Sequence, residues 1–238
     1  MADSLIGASR PSISLFFPCH NEAENVARVV REAVDNLVSL AGEFEVIVVD
    51  DGSTDATRAT VQAIGVTDAR VRVVSHPTNL GYGHALRTGF AAGRFDLIGY
   101  TDGDGQFSMS DLGKMVEAIR TVDFVLGVRV KRADPLHRRL NAWLWRQLVR
   151  VVLGVKVRDI DCGFKLFRRT VVKRVELTAG RGAVISAELV TKAVRNGYTF
   201  REVGVHHYPR MAGTPTGNDL RVILNSFVDI FRLWRSLR

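Results

Sequence analysis

The fold of this chain is decided by the stretch Glu45-Val46-Ile47-Val48-Val49-Asp50-Asp51-Gly52-Ser53-Thr54-Asp55. Its first half is a short apolar run, rich in β-branched residues, that is typical of a buried strand. Its second half carries residues that end a strand and open a helix. The simplest role for the polar residues from Ser53 to Asp55 is to cap that helix. The stretch therefore predicts a strand, an acidic turn and a helix in succession.

The same unit recurs along the first half of the chain, where apolar runs alternate with segments of helical periodicity. The predicted strands are Ile13–Phe17, Glu45–Val49, Val71–Ser75, Leu97–Thr101 and Phe124–Val128, and the predicted helices are Glu22–Leu40, Asp55–Ile64, Gly83–Ala92 and Met109–Arg120. Alternating strands and helices of this length predict an α/β fold, with a mainly parallel sheet covered by helices on both faces.

The pattern loosens after Arg129. The elements predicted there are helices Leu136–Leu153 and Ser186–Asn196, a short strand Phe164–Phe167, a strand Thr199–Val205 and a last helix within Leu220–Leu237. A chain of 238 residues is long enough to bury a substantial core, and it contains no visible repeat or low-complexity segment. We therefore predict one domain over residues 1–238, with a functional boundary near Arg129.

A second acidic turn follows the strand at Leu97–Thr101 and carries Asp102 and Asp104, one residue apart. In isolation it resembles a common acidic surface turn. Ligands of open α/β sheets, however, bind at the carboxyl ends of the strands, so two acidic turns at that edge predict one site. Mg²⁺ and Mn²⁺ prefer oxygen ligands and keep coordination positions for substrate phosphates. The pattern predicts a divalent-metal site for a nucleotide diphosphate.

Three other motifs are excluded. An EF-hand loop fails because Phe107 stands where a glycine is needed and Gly113 where the closing glutamate belongs. Gly81-Tyr82-Gly83-His84 lacks the third glycine of a dinucleotide-binding turn, so Gly81 more simply shapes a turn beside the cleft. His206 and His207 are adjacent in a predicted strand and point to opposite faces, which argues against a zinc site.

The charge of the chain indicates a polyanionic partner. Lys and Arg number 33 against 25 Asp and Glu, giving a net charge of +8 and a pI near 10.0. Acidic clusters lie in the N-terminal half, whereas arginines concentrate after Arg129. This asymmetry favours phosphate-bearing lipid or a membrane surface over nucleic acid, for which no recognition motif is present.

The compartment is predicted from what the sequence lacks. Two cysteines and no secretory signal favour a reducing, cytosolic setting, and no stretch of about 20 apolar residues predicts a membrane span. The last helix combines an apolar stripe with Arg221, Arg232, Arg235 and Arg238, and the Leu136–Leu153 segment has a similar character. Each stripe either docks on the lipid interface or packs on the core. We expect interfacial docking.

Three stretches carry a family resemblance. They are Pro18-Cys19-His20-Asn21-Glu22, Val49-Asp50-Asp51-Gly52-Ser53 and Asp102-Gly103-Asp104-Gly105-Gln106. In this order they resemble the inverting family 2 glycosyltransferases of GT-A fold. The resemblance implies that Asp104 and Gln106 bind Mg²⁺ or Mn²⁺, with Asp102 nearer the donor and a further candidate ligand. The candidate nucleotide-sugar-binding residues are Pro18, His20, Asn21, Glu22, Val49, Asp51, Gly81, Asp102 and Gly103. His20 departs from the usual aromatic residue.

Three further stretches resemble the dolichol- or polyprenol-phosphate sugar synthases within that family. They are Gly127-Val128-Arg129, Asp159-Ile160-Asp161-Cys162-Gly163-Phe164-Lys165-Leu166-Phe167 and Arg210-Met211-Ala212-Gly213. By similarity, Arg129 reaches the phosphates and Arg210 belongs to the acceptor loop. The chain departs from the pattern at Thr214-Pro215-Thr216-Gly217, where Ser-Lys often follows.

The resemblance implies transfer of a hexosyl group, mannose or glucose, from a nucleotide diphosphate sugar to polyprenyl phosphate. Residues 10–128 would bind the donor, and residues 129–238 would face the acceptor and membrane. The expected location is the cytoplasmic face of the plasma membrane, in cell-wall synthesis, with a possible separate anchoring partner. Two alternatives stay open: a soluble or glycan hydroxyl acceptor, and a non-catalytic nucleotide-binding protein.

The acceptor decides whether a general base is needed. A hydroxyl needs a carboxylate to take its proton, whereas a lipid phosphate is already nucleophilic at neutral pH. Asp161 is the first candidate base and Asp159 the second. A solvated loop beside Arg158 is the simpler alternative for both residues.

Overall fold

The computed structural model describes residues 10–130, 147–178, 182, 184–211 and 228–235. The strands are β1 (Ser12–Cys19), β2 (Glu43–Asp50), β3 (Val71–Ser75), β4 (Leu97–Tyr100), β5 (Phe124–Val130), β6 (Lys165–Arg168) and β7 (Phe200–His206). The helices are α1 (Ala23–Leu40), α2 (Thr57–Thr67), α3 (Tyr82–Ala92), α4 (Leu112–Ala118), α5 (147–153), α6 (Arg169–Arg174), α7 (Val184–Arg195) and α8 (228–235).

The described strands form one seven-stranded sheet in the order β3-β2-β1-β4-β6-β5-β7. Strands β1 to β4 pair in parallel, as do β5 and β7, whereas β6 runs antiparallel between β4 and β5. The predicted α/β architecture with a mainly parallel sheet is confirmed. The antiparallel insertion of β6 was not predicted, and it brings the loop before β6 to the carboxyl ends of the parallel strands.

Helices cover both faces of the sheet because side chains alternate along each strand. In β1, Leu15 and Phe17 face a core shared with α1, α2 and α4, while Phe16 faces the core shared with α3 and α7. Helix α1 contributes an apolar stripe at helical spacing, formed by Val26, Val29, Val30, Ala33 and Leu37. This packing fixes the strand ends relative to one another.

Two predicted helices differ in detail from the structure. The segment predicted as one helix over Met109–Arg120 consists of 3₁₀ turns at Met109–Asp111 and Ile119–Thr121 on either side of α4. Of the predicted helix Leu136–Leu153, only residues 147–153 are described, and they are helical. The segment from Ala212 to Phe227, which includes Gly213 and the departure at Thr214–Gly217, lies outside the described residues.

The boundary near Arg129 does not divide the sheet. Strand β7 lies in the acceptor half by sequence, yet it pairs along its whole length with β5. The two predicted halves therefore share one sheet, and their division of labour stays a prediction. Among the described residues, none of the helices has the length and apolar character that a bilayer crossing requires.

Candidate functional site

Acidic and basic side chains gather at one edge of the sheet, where the parallel strands end. Pro18, near the end of β1, lies opposite Val49 in β2, so the loops after the two strands begin side by side. The acidic loop, which we define as Asp102–Gln106, follows β4. Because parallel strands end at the same edge, the sheet brings together the two acidic turns that the sequence predicts.

The loop after β1 is tied to the loop after β2 by hydrogen bonds. His20 Nδ1 donates to the Asp51 carbonyl oxygen over 2.9 Å, and Asn21 N donates to Ser53 Oγ over 2.9 Å. In return, Thr54 N donates to Asn21 Oδ1 over 2.8 Å. Asn21 has a positive φ of 55°, a conformation that asparagine tolerates better than most residues. These contacts fix the positions of the two predicted nucleotide-binding segments relative to each other.

Asp51 organises a third loop, residues 76–81. Its carboxylate accepts hydrogen bonds from His76 Nδ1 at 2.7 Å, Leu80 N at 2.9 Å and Gly81 N at 2.8 Å. Burial raises the pKa of Asp51, but these hydrogen bonds outweigh burial and leave the pKa below its usual value. Gly81 has a φ of 97°, which glycine adopts readily. The structure thus brings Asp51 and Gly81 together, as a fixed wall of the cleft.

Gly103 lets the end of β4 approach the end of β1. A Cβ atom at position 103 would overlap Cys19 Sγ and crowd the Pro18 carbonyl oxygen. A larger residue would push the acidic loop away from the loop after β1. The structure therefore places Gly103 as a close-contact residue beside the predicted donor site.

Asp102 is enclosed by groups from two other segments. Tyr82 donates its hydroxyl to Asp102 Oδ1 over 3.0 Å, and a Cβ atom at Gly163 would overlap the carboxylate. Burial and the charge of Asp104 raise the pKa of Asp102 to about 7, while Tyr82 and Lys165 act in the opposite direction. The two carboxylates therefore repel each other across the acidic loop.

Asp104 faces the C-terminal part of the chain. Its Oδ1 accepts from Gln106 N at 3.0 Å, and its Oδ2 lies 3.6 Å from Arg210 Nη1. The same guanidinium donates to Glu22 through Nη2. Gln106 Nε2 in turn donates to the Tyr208 carbonyl oxygen over 2.8 Å. The acidic loop is thus linked both to the start of α1 and to the segment after β7.

Arg129 and Asp159 form a two-pronged ion pair. Arg129 Nε and Nη2 donate to the two oxygens of Asp159 over 2.8 and 2.7 Å, and Asp159 is buried. Asp161, two residues on, is exposed. Asp161 is therefore the more accessible of the two candidate bases, because both side-chain oxygens of Asp159 already accept hydrogen bonds from Arg129. That Arg129 reaches phosphates stays a prediction.

A buried lysine lies beneath the site. Lys165, the first residue of β6, is fully buried. Its Nζ donates to the Cys162 carbonyl oxygen and lies 5.5 Å from the centre of the Tyr100 ring. No contact that the structure records for the Lys165 ammonium joins it to a carboxylate, although its charge lowers the pKa of Asp102.

The acidic loop fits a divalent cation whose coordination sphere is completed by oxygens of the substrate. Among the described residues there is no cluster of three or more His, Cys, Asp or Glu side chains able to hold a metal alone. Asp102 and Asp104 instead form a repelling pair, whose excess negative charge a cation would relieve. One or two carboxylates plus substrate phosphates are a usual ligand set for Mg²⁺.

The sequence assigns no individual role to four residues of this site: His76, Tyr82, and two residues of the stretch that carries the resemblance, Gly163 and Lys165. Tyr82 belongs to a glycine-rich motif that we judged only as a dinucleotide-binding turn. Lys165 lies in an apolar run, and a lysine between Phe164 and Leu166 is itself a signal for a buried charge. The histidines at 206 and 207 have different partners, since His206 Nδ1 lies 3.0 Å from Asp111 Oδ2 and the His207 ring packs on Phe107.

Comparison with known proteins identifies relatives over most of the chain. Residues 14–176 match the model of the family described as glycosyl transferase family 2. Dodecaprenyl-phosphate galacturonate synthase of Rhizobium johnstonii is 32% identical over 222 residues, covering 90% of this chain and 64% of that protein. Polyprenol monophosphomannose synthase of Mycolicibacterium smegmatis is 27% identical, covering 87% of this chain and 82% of that protein. The chain thus spans less than two thirds of the first of these relatives.

A solved structure shares the fold. Glucosyl-3-phosphoglycerate synthase from Mycobacterium tuberculosis, in complex with Mn²⁺, UDP-glucose and phosphoglyceric acid, superposes with a TM-score of 0.74 at 21% identity. The match covers 94% of this chain and 80% of that one. The predicted GT-A fold and the predicted family are confirmed, and the curated relatives are polyprenyl-phosphate sugar synthases.

Proposed function

This chain belongs to glycosyl transferase family 2, and on that premise we propose that it transfers a hexosyl group from a nucleotide diphosphate sugar to polyprenyl phosphate with inversion. One observation carries the proposal. Arg210, from the predicted acceptor half, pairs with Glu22 and lies 3.6 Å from Asp104 in the predicted donor half. That an arginine of the proposed acceptor half lies beside the acidic loop supports the proposal. The names of the polyprenyl-phosphate relatives support the acceptor class.

The donor binds across the loops after β1, β2 and β4. His20, Asn21 and Asp51 hold the loops on the nucleoside side together through the contacts described above, and Gly103 lets the acidic loop approach the end of β1, so that both loops can contact the donor. Asp104 and Gln106, with Asp102, would hold Mg²⁺ or Mn²⁺. A cation bound there supplies electrostatic stabilisation of the negative charge on the leaving diphosphate. The Mn²⁺ in the related synthase complex supports a divalent ion without choosing between the two metals.

The residues of the chain then act on the acceptor. Arg129 and Arg210 contribute positive charge that attracts the acceptor phosphate and offsets negative charge in the transition state. A phosphate monoester has a second pKa of about 6, so it attacks the anomeric carbon without a general base. In that case Asp161 orients the sugar and its removal costs less than that of Asp104. With a hydroxyl acceptor, Asp161 would instead take the proton.

Membrane contact is part of the proposal. Helix α8 buries Ile230 and Leu233 but exposes Phe231, and Arg232 and Arg235 lie beside that exposed face. Val151 in α5 is also exposed, at 81%. Each helix thus packs one face on the core and leaves apolar and basic groups outward, a combination that suits an anionic lipid interface. We propose peripheral binding at the cytoplasmic face, with or without a separate anchoring protein.

A transfer assay tests the proposal. We expect label from GDP-mannose or UDP-glucose, supplied with Mn²⁺, to move to undecaprenyl phosphate in anionic vesicles, and no transfer to undecaprenol in matched vesicles. The phosphate-free lipid separates a phosphate nucleophile from mere lipid binding. Transfer to a water-soluble alcohol, with none to the lipid phosphate, would establish the hydroxyl-acceptor alternative. No transfer from either donor or from other nucleotide diphosphate sugars would favour a non-catalytic nucleotide-binding role.

A further inference from the structure

Tyr82 occupies a fixed place between two parts of the donor site. It is the first residue of α3 and directly follows Gly81, whose N–H donates to the Asp51 carboxylate over 2.8 Å. Leu80 N donates to the same carboxylate over 2.9 Å. The backbone just before Tyr82 is therefore held by Asp51, the residue that organises the nucleoside side of the site.

The other end of Tyr82 reaches the acidic loop. Its hydroxyl donates to Asp102 Oδ1 over 3.0 Å, across 20 residues of sequence. The carboxylate also lies against Gly163, where a Cβ atom would overlap it and force it to move. The Asp102 carboxylate thus contacts both the Tyr82 hydroxyl and the backbone at Gly163.

Asp104 has different contacts. Its oxygens face Gln106 N and Arg210 Nη1, and no contact recorded for Asp104 joins it to Tyr82. Of the two neighbouring carboxylates, Tyr82 therefore orients only Asp102. A phenol on a rigid helix can do this with little entropic loss, since it has only two side-chain torsions to fix.

We propose that Tyr82 is a positioning residue, which fixes the Asp102 carboxylate and couples the loop organised by Asp51 to the acidic loop. This inference rests on the proposed nucleotide-sugar site. Tyr82 thus fixes the distance between the nucleoside end and the diphosphate end of that site before the donor binds. Without the hydroxyl, Asp102 is free to turn in response to the charge of Asp104, and the site must be reordered on binding.

The first test is nucleotide binding without any acceptor. Tyr82→Phe keeps the ring and removes only the hydroxyl, and we expect it to weaken binding of UDP or GDP in the presence of Mn²⁺ by about tenfold, measured by titration calorimetry. Tyr198→Phe is the matched control, because Tyr198 precedes β7 at the opposite edge of the sheet. It should bind as the wild type does. Unchanged affinity in Tyr82→Phe would overturn the inference.

The second test asks whether Tyr82 acts through Asp102. Urea unfolding in EDTA is compared among the wild type, Tyr82→Phe, Asp102→Asn and the double variant. We expect the effects of the two substitutions to be clearly non-additive, since each removes one partner of the same hydrogen bond. Additive effects would overturn the inference. If the wild type itself binds neither nucleotide with Mn²⁺, the proposed function fails, and this inference falls with it.

Discussion

Replacement of Asp104 by asparagine should lower the rate of sugar transfer by about 10²–10³-fold, the usual cost of losing one group that stabilises developing charge. Asn has the size of Asp but lacks its charge. Asp104 lies on the acidic loop beside Arg210 and accepts a hydrogen bond from Gln106 N. The substitution thus replaces one oxygen of the proposed cation site by an amide nitrogen and removes the negative charge, while the side chain keeps its size.

The measurement is the initial rate of transfer at saturating donor and Mn²⁺, with thermal unfolding as the check on folding. Asp35→Asn is the matched control, since Asp35 is an exposed aspartate on the outer face of α1. It should retain wild-type turnover. Full turnover in Asp104→Asn would refute the role of the acidic loop in holding the cation.

Replacement of Arg129 by methionine should destabilise the fold by about 3–5 kcal/mol, because it removes the guanidinium that pairs with the buried carboxylate of Asp159. Asp159 is 6% exposed, and each of its two carboxylate oxygens accepts a hydrogen bond from the Arg129 guanidinium. The free energy of unfolding in urea measures the effect. Transfer activity should fall as well, since the charge proposed to face the phosphates is lost.

The double variant Arg129→Met/Asp159→Asn separates the two roles. Neutralising Asp159 as well should recover much of the lost stability, because the buried side chain then carries no charge that needs the guanidinium. Activity should not recover, because the positive charge is still absent. A double variant as unstable as Arg129→Met alone would show that the ion pair does not account for the loss.

The sequence predicted the parts of the site that depend on periodicity and on sheet topology. Val49 and Leu97 belong to apolar runs whose ends must meet at one sheet edge, so Asp51 and Asp102 could be assigned to one cleft. The short strand at Lys165 carries no signal for its direction. Its antiparallel insertion between β4 and β5 therefore required the structure.

Contacts between side chains from distant loops could not be predicted from the sequence. The Tyr82–Asp102 hydrogen bond depends on the tilt of α3 relative to β4, which no local pattern encodes. The pairing of Arg129 with Asp159 likewise depends on how the loop before β6 returns to the sheet edge. The sequence predicts Arg129 as a phosphate ligand and Asp159 as a candidate base, but it does not predict that the two side chains pair with each other.

The proposed function requires that the acidic loop binds a divalent cation together with a nucleotide diphosphate sugar. Titration calorimetry of the wild-type protein with UDP-glucose and GDP-mannose, in MnCl₂ and then in EDTA, tests it most directly. We predict saturable binding of one donor in Mn²⁺ that is lost in EDTA and, even with Mn²⁺, in Asp104→Asn. Donor affinity that is the same with and without the metal would show that the acidic loop holds no cation with the donor.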